Sequence, residues 1–315
     1  MKLTIATNIL MATALMTPKP AMPTEDNVVR AGMLVSSEWL ADHLADADLV
    51  LLHVGRRSGY ENVHIPGARH LSLRDLLIDN PNGLEHELPP IAQLDSVFEL
   101  LGVNDGSRIV IYHEKDLGLP SAARAYLTLD YLGMGDRVSL LDGGFPKWLA
   151  EERSTSTEVQ DIASGDFTPA PDPSLLVNGE WVEEHLRDPA VVVIDARPEE
   201  LYDGRDKAKK ISRYGHIAGA VNIPITEITY EDPSQGFKGP EELDRLFQEV
   251  GVKPGSIAVF YCDSGIWASL DYFTAKYLGY EVRFYDGSFQ DWITEGNRPI
   301  IEPVKKGFFR RLFGK

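Results

Sequence analysis

The sequence predicts an α/β protein made of two tandem copies of one unit, each a parallel sheet with helices on both faces. One observation is a set of blocks that occurs twice in the same order. Leu34-Val35-Ser36-Ser37-Glu38-Trp39-Leu40 returns as Leu176-Val177-Asn178-Gly179-Glu180-Trp181-Val182. His64-Ile65-Pro66-Gly67-Ala68 returns as His216-Ile217-Ala218-Gly219-Ala220, and Ile109-Val110-Ile111-Tyr112 as Ala258-Val259-Phe260-Tyr261. Leu141-Asp142-Gly143-Gly144-Phe145-Pro146-Lys147-Trp148 returns as Tyr285-Asp286-Gly287-Ser288-Phe289-Gln290-Asp291-Trp292. The second observation is that short continuous apolar runs alternate with helical spacing, the mark of strands buried on both faces.

Taken in order, residues 1–24 open with a positive start and a mostly apolar stretch, followed by Pro18, Pro20 and Pro23. This fits an export signal, or else an N-terminal arm. It is too short for a membrane span. The first unit runs over 33–153. A linker at 154–174 is rich in Ser, Thr, Pro and Asp. The second unit covers 175–303. Within it Val191-Val192-Val193-Ile194 and Ile257–Tyr261 read as buried strands, and Glu242–Val250 and Ala268–Leu278 as helices. An insertion spans Asp203 to Arg213. The tail, 304–315, mixes Lys305, Lys306, Arg310, Arg311 and Lys315 with Phe308, Phe309, Leu312 and Phe313. Such a tail suits weak contact with an anionic membrane surface, though a frayed tail or one folded on the acidic body is the preferred expectation.

The 315 residues carry a formal net charge of −17, which argues against nucleic acid as a partner. An anionic substrate therefore has to be caught by local cations. No His/Cys/Asp cluster has metal-ligand spacing, so no metal and no cofactor is expected. A phosphate loop is also missing. The paired His64 and His216 read as structural, closing the turn before a strand. Asp142-Gly143 and Asp286-Gly287 read as turns.

Cys262 is the single cysteine, and it stands where a strand hands over to a helix. In parallel sheets ligands sit beyond the carboxyl ends of strands. Backbone N–H groups of the loop Asp263-Ser264-Gly265-Ile266-Trp267-Ala268 and the helix N-terminus are expected to favour a thiolate ionised near neutral pH. A carboxylate at Asp263 opposes this unless a basic residue pairs with it. Arg197, directly after a strand end, is a candidate for anion capture or for a structural ion pair. Lys210, Lys209 and Arg213 are further cationic candidates, while Lys207 and Lys209 also read as a solvated loop. Trp267 serves as a pocket wall or as helix packing. The sixth residue after Cys262 is Ala268, so the Cys-x5-Arg loop of phosphatases is absent.

Together, Asp195-Ala196-Arg197, Gly215–Ala220, the Cys262 loop with Gly265, and Tyr285-Asp286-Gly287-Ser288 with Trp292 resemble the tandem rhodanese family of thiosulfate and mercaptopyruvate sulfurtransferases. The likeness covers about 33–303. Residues Gly265-Ile266-Trp267-Ala268 are similar to an exported bacterial subgroup, which implies a periplasmic location, with the cytoplasm as the alternative. In the family the first copy lacks the cysteine, and here His113 stands in its place. The resemblance implies a catalytic Cys262 that becomes a persulfide and passes sulfur to cyanide or a thiol. Asp263, Ser264, Gly265, Ile266, Trp267, Ala268, Arg197 and Lys210 would then contact substrate. Thiosulfate enzymes carry a basic residue where Ser264 stands. Mercaptopyruvate enzymes carry Cys-Gly-Ser-Gly-Val-Thr and a second arginine where this chain has Leu201. On that pattern thiosulfate is the expected donor, with 3-mercaptopyruvate or a non-enzymatic persulfide carrier as alternatives. The expected partners are a small anionic donor and a thiophilic acceptor, and the expected state is a monomer.

Overall fold

The structure is a computed structural model describing residues 29–114, 118–206, 208, 211–294 and 296–303. Residues 1–24, Lys207, Lys209, Lys210 and the tail 304–315 lie outside the described residues. In the first unit the elements are β1 Leu34–Val35, α1 Ser37–His43, β2 Leu49–Val54, α2 Arg57–Asn62, β3 Arg69–Leu71, α3 Ile91–Leu100, β4 Arg108–His113, α4 Gly118–Tyr131, β5 Val138–Leu141 and α5 Gly144–Ala150. The second unit has β6 Leu176–Val177, α6 Gly179–His185, β7 Val191–Asp195, α7 Glu199–Tyr202, β8 His216–Ile217, β9 Val221–Asn222, α8 Pro240–Glu249, β10 Ile257–Tyr261, α9 Ala268–Tyr277, β11 Glu281–Tyr285, α10 Ser288–Trp292 and β12 Ile300–Ile301.

Two five-stranded sheets result, ordered β1-β5-β4-β2-β3 and β6-β11-β10-β7-β9, with every pair parallel. The identical order is the structural form of the sequence repeat. Its local chemistry repeats too. Ser36 and Asn178 accept the amides of Trp39 and Trp181 at 3.1 and 2.9 Å, capping α1 and α6. The same two tryptophans stack on His43 and His185, with centroids 4.0 and 3.9 Å apart. His64 stacks on Tyr60 and His216 on Tyr202, and each imidazole bonds the carbonyl of the tyrosine it covers. Both histidines thus hold the turn before a strand.

The units share their largest core. One cluster of buried apolar residues runs from Leu52 and Leu127 through Phe273 to Phe260. Helices α4 and α9 meet at its centre, where Tyr126 packs edge-on against Phe273 at 4.8 Å. Buried Asp130 accepts the Tyr272 hydroxyl at 2.6 Å and pairs with Lys276 at 2.7 Å. Two smaller clusters around Trp148 and Trp292 fill the outer faces. The segment 154–174 lies along the first unit: Ser156 pairs with His64, and Phe167 packs against Phe98.

Candidate active site

Strand β10 ends at Tyr261, and the next residue is Cys262, 2% exposed. A loop through Trp267 then leads into α9. Gly265 takes φ of +86°, a conformation that L side chains resist, and its N–H donates to Cys262 Sγ at 3.1 Å. The amides of Ala268 and Ser264 also act on the sulfur. The loop is pinned from below. Phe289 N–H donates to the Cys262 carbonyl at 2.9 Å, and Gln290 N–H to that of Asp263 at 3.1 Å. Ser269 Oγ donates to the Gly265 carbonyl at 2.8 Å.

The amide cradle does not yield a thiol ionised near neutral pH. Burial pushes the thiol above its ordinary value, the Asp263 carboxylate pushes the same way, and the amides of Ala268, Ser264 and Gly265 only partly oppose them. Stripping water from a thiolate costs more than three amides return. This corrects the expectation drawn from the strand-loop-helix pattern.

Arg197 is placed for support rather than capture. Its Nε and Nη2 donate to Asp195 at 2.9 and 2.6 Å, Nη2 also reaches the Gly215 carbonyl at 2.8 Å, and Nη1 meets Asp263 at 3.3 Å. The guanidinium lies 4.2 Å from the centroid of the Phe289 ring and is 2% exposed. Carboxylates already surround it, so the candidate role of gripping an anionic substrate gives way to holding the loop. Asp263 is thereby turned toward Arg197. Burial raises its carboxyl above the usual range, and Arg197 opposes that shift. Ile266 and Trp267 are half-buried on the loop, with Trp267 packed against the shared core, and Ala268 opens α9 fully buried. Arg213 pairs with Glu302. Lys210 falls outside the described residues.

Ser264 points to a residue that the sequence pattern did not single out. Its Oγ lies 2.9 Å from Nδ1 of His86, on a loop of the first unit. That loop is clamped to the second unit. Leu88 N–H donates to Asp286 Oδ2 at 2.7 Å, and Gln290 exchanges hydrogen bonds with Glu85 at 3.1 and 2.7 Å. Arg124 of α4, fully buried, ties the pieces together. It pairs with Asp286 at 2.8 Å, donates to the His86 carbonyl at 2.9 Å and reaches the Gly265 carbonyl at 3.4 Å. Asp286 is therefore more than a turn residue. Its repeat partner Asp142 does the same work in reverse, accepting Phe237 N–H at 2.9 Å from the second unit. His86 has no counterpart in the repeated blocks, and the one signal for Arg124 was a charge set among Ala122, Ala123 and Ala125. His113, at the matching strand end, is 4% exposed and pushed down to about 4 by burial, so a neutral imidazole replaces the thiol there.

The site is a buried thiol in an amide cradle, at the carboxyl end of a parallel strand and roofed by a second copy of its own fold. The family profile described as the rhodanese-like domain matches residues 36–151 and 178–295, and the chain belongs to that family. It is a sulfurtransferase. Rat 3-mercaptopyruvate sulfurtransferase is 34% identical over 275 residues, spanning 82% of this chain and 91% of the rat protein. A probable 3-mercaptopyruvate sulfurtransferase of Pseudomonas aeruginosa is 32% identical, over 86% of this chain and 98% of its own. The Thermus thermophilus sulfur carrier protein TtuD is 31% identical, over 87% and 97%. Among solved structures, the anaerobic ergothioneine biosynthesis enzyme of Chlorobium limicola superposes with a TM-score of 0.76 at 21% identity, covering 91% of this chain and 73% of that one. At that identity the likeness concerns the fold alone.

Proposed function

We propose that the protein transfers sulfur from 3-mercaptopyruvate to a thiophilic acceptor through a persulfide on Cys262. The observation that carries this reading is the Ser264–His86 pair beside the thiol. A buried thiol with a raised pKa needs a base to attack. Ser264 places its amide on the sulfur and its hydroxyl on the His86 imidazole, and in this reading His86 takes the proton by way of that hydroxyl. Attack on the donor sulfur then forms the S–S bond and breaks the C–S bond. The electron pair leaves as the enolate of pyruvate, and that carbon needs a proton, which His86 returns through Ser264. The proton balance closes within the site. Thiosulfate makes a different demand, because sulfite leaves as a stable anion and wants a cation near the sulfur. Arg197, the nearest described guanidinium to Asp263, is committed to carboxylates. The names of the mammalian and bacterial relatives support the mercaptopyruvate reading over the expected thiosulfate.

Steady-state kinetics with both donors tests the proposal. The expected result is a kcat/KM at least about tenfold higher for 3-mercaptopyruvate, with no turnover and no added sulfur in Cys262→Ser. A preference for thiosulfate overturns it. No turnover with either donor, but a Cys262 persulfide after mixing with a protein partner, supports a carrier of the kind TtuD's name describes.

A further inference from the structure

The acceptor half of the reaction needs its own binding determinants, and the first unit carries a cleft suited to them. Arg56 and Arg57 follow the carboxyl end of β2, and Arg74 follows that of β3. These strands are hydrogen-bonded neighbours, so topology brings the three guanidiniums to one mouth. They line a cavity of about 870 Å³ together with His70 and His86. That volume suits a ligand of small-peptide size. Three arginines on one opening stand out in a chain whose net charge is −17. Arg74 is exposed and makes no ion pair among the described residues. The pair of Arg57 with Glu61 spans two exposed side chains at 2.8 Å, a contact cheap to exchange for a ligand. Of the acids on the cleft, Asp79 already accepts the His86 amide at 3.2 Å. His86 lines the cleft as well, and its Nδ1 bonds Ser264 in the thiol loop, so the cleft and the sulfur site share this residue.

We propose that this cleft binds the sulfur acceptor, and that it selects a small thiol carrying carboxylates. The inference rests on the persulfide reading above. The acceptor thiolate attacks the outer sulfur of the Cys262 persulfide. A bond forms between the acceptor sulfur and the outer sulfur, and the bond to Cys262 Sγ breaks. The electron pair returns to Cys262 as thiolate, and the acceptor leaves as its own persulfide, keeping the proton on the outer sulfur. No outside oxidant or reductant enters. The arginines offset the cost of bringing a polyanion to an acidic protein.

The test separates loading from discharge. Protein is charged with sulfur, freed of donor, and discharged in single turnovers by mercaptosuccinate, 3-mercaptopropionate or 2-mercaptoethanol, which differ in carboxylate number. The readout is the ratio of wild type to Arg74→Glu for each thiol, which cancels intrinsic thiol reactivity. The expected loss is about tenfold for mercaptosuccinate and under about twofold for 2-mercaptoethanol, shrinking as salt is raised. Equal losses for all thiols, or a loss that falls on loading instead of discharge, overturn the assignment. Calorimetric binding of mercaptosuccinate to the unloaded protein is read in parallel. Binding that weakens in Arg74→Glu and with salt supports the cleft even if no persulfide loads, a result that would sink only the persulfide reading. Binding indifferent to both overturns the cleft.

Discussion

Cys262 concentrates a conflict that single residues resolve. Burial and Asp263 hold the proton on, while three loop amides favour its loss. Arg197 draws the Asp263 carboxylate toward itself at 3.3 Å and in turn is fixed by Asp195. The rate at which Cys262 is alkylated should therefore keep rising with pH beyond the ordinary thiol value, because burial and Asp263 hold the proton on the thiol and so raise its pKa. Replacing Asp263 by Asn removes one of the two causes that raise it, so the midpoint of the profile should move to lower pH. Iodoacetamide alkylation of Cys262 against pH measures this. A midpoint below the ordinary value in wild type would contradict the burial argument. Cys262 and Gly265 were legible in the sequence, since both lie in one short loop, whereas the pairing of Asp263 with a basic residue was one of two alternatives left open, its partner Arg197 lying 66 residues away. The sign of the thiol shift was not, because desolvation depends on what the rest of the chain packs around the sulfur.

At the scale of elements, the thiol loop belongs to the second unit but takes its partners from the first. Arg124 on α4, the loop around His86 and Asp286 after β11 form one buried network. Removing one partner of a buried ion pair leaves the other charge stranded. Arg124→Ala is expected to destabilise the protein by about 3–5 kcal/mol, read as a shift in urea midpoint. It should also lower kcat by releasing the carbonyl of His86. Arg124→Lys, which keeps charge but not the fork, is expected to fall between. If Arg124→Ala melts like wild type, the network carries no energy and this account fails. Strands Val191–Ile194 and Ile257–Tyr261 were readable from apolar runs, and α9 from its spacing. The order of the strands came only from the structure, because it is set by which edges meet in space and not by local pattern.

For the whole molecule, the consequence of a shared core is cooperativity. Residues of both units belong to one apolar cluster, and α4 and α9 bury each other's faces. Heat should unfold the chain in a single calorimetric transition, with matching calorimetric and van't Hoff enthalpies. Two resolved transitions would mean the units are stable apart. The basic cleft also belongs to this scale, since its cations come from one unit and the sulfur from the other.

The sequence by itself determined the α/β class, the twofold repeat, the carboxyl-end position of Cys262 and its loop, because each is written in local pattern or in short motifs. Tertiary structure alone decided the roles of His86, Arg124, Asp286 and Arg197. The physical reason is separation along the chain: His86 meets Ser264 across 178 residues and Arg124 meets Asp286 across 162. No periodicity encodes such a meeting. It follows from packing the two copies against each other through α4 and α9, so that each carries its loops onto the strand ends of the other.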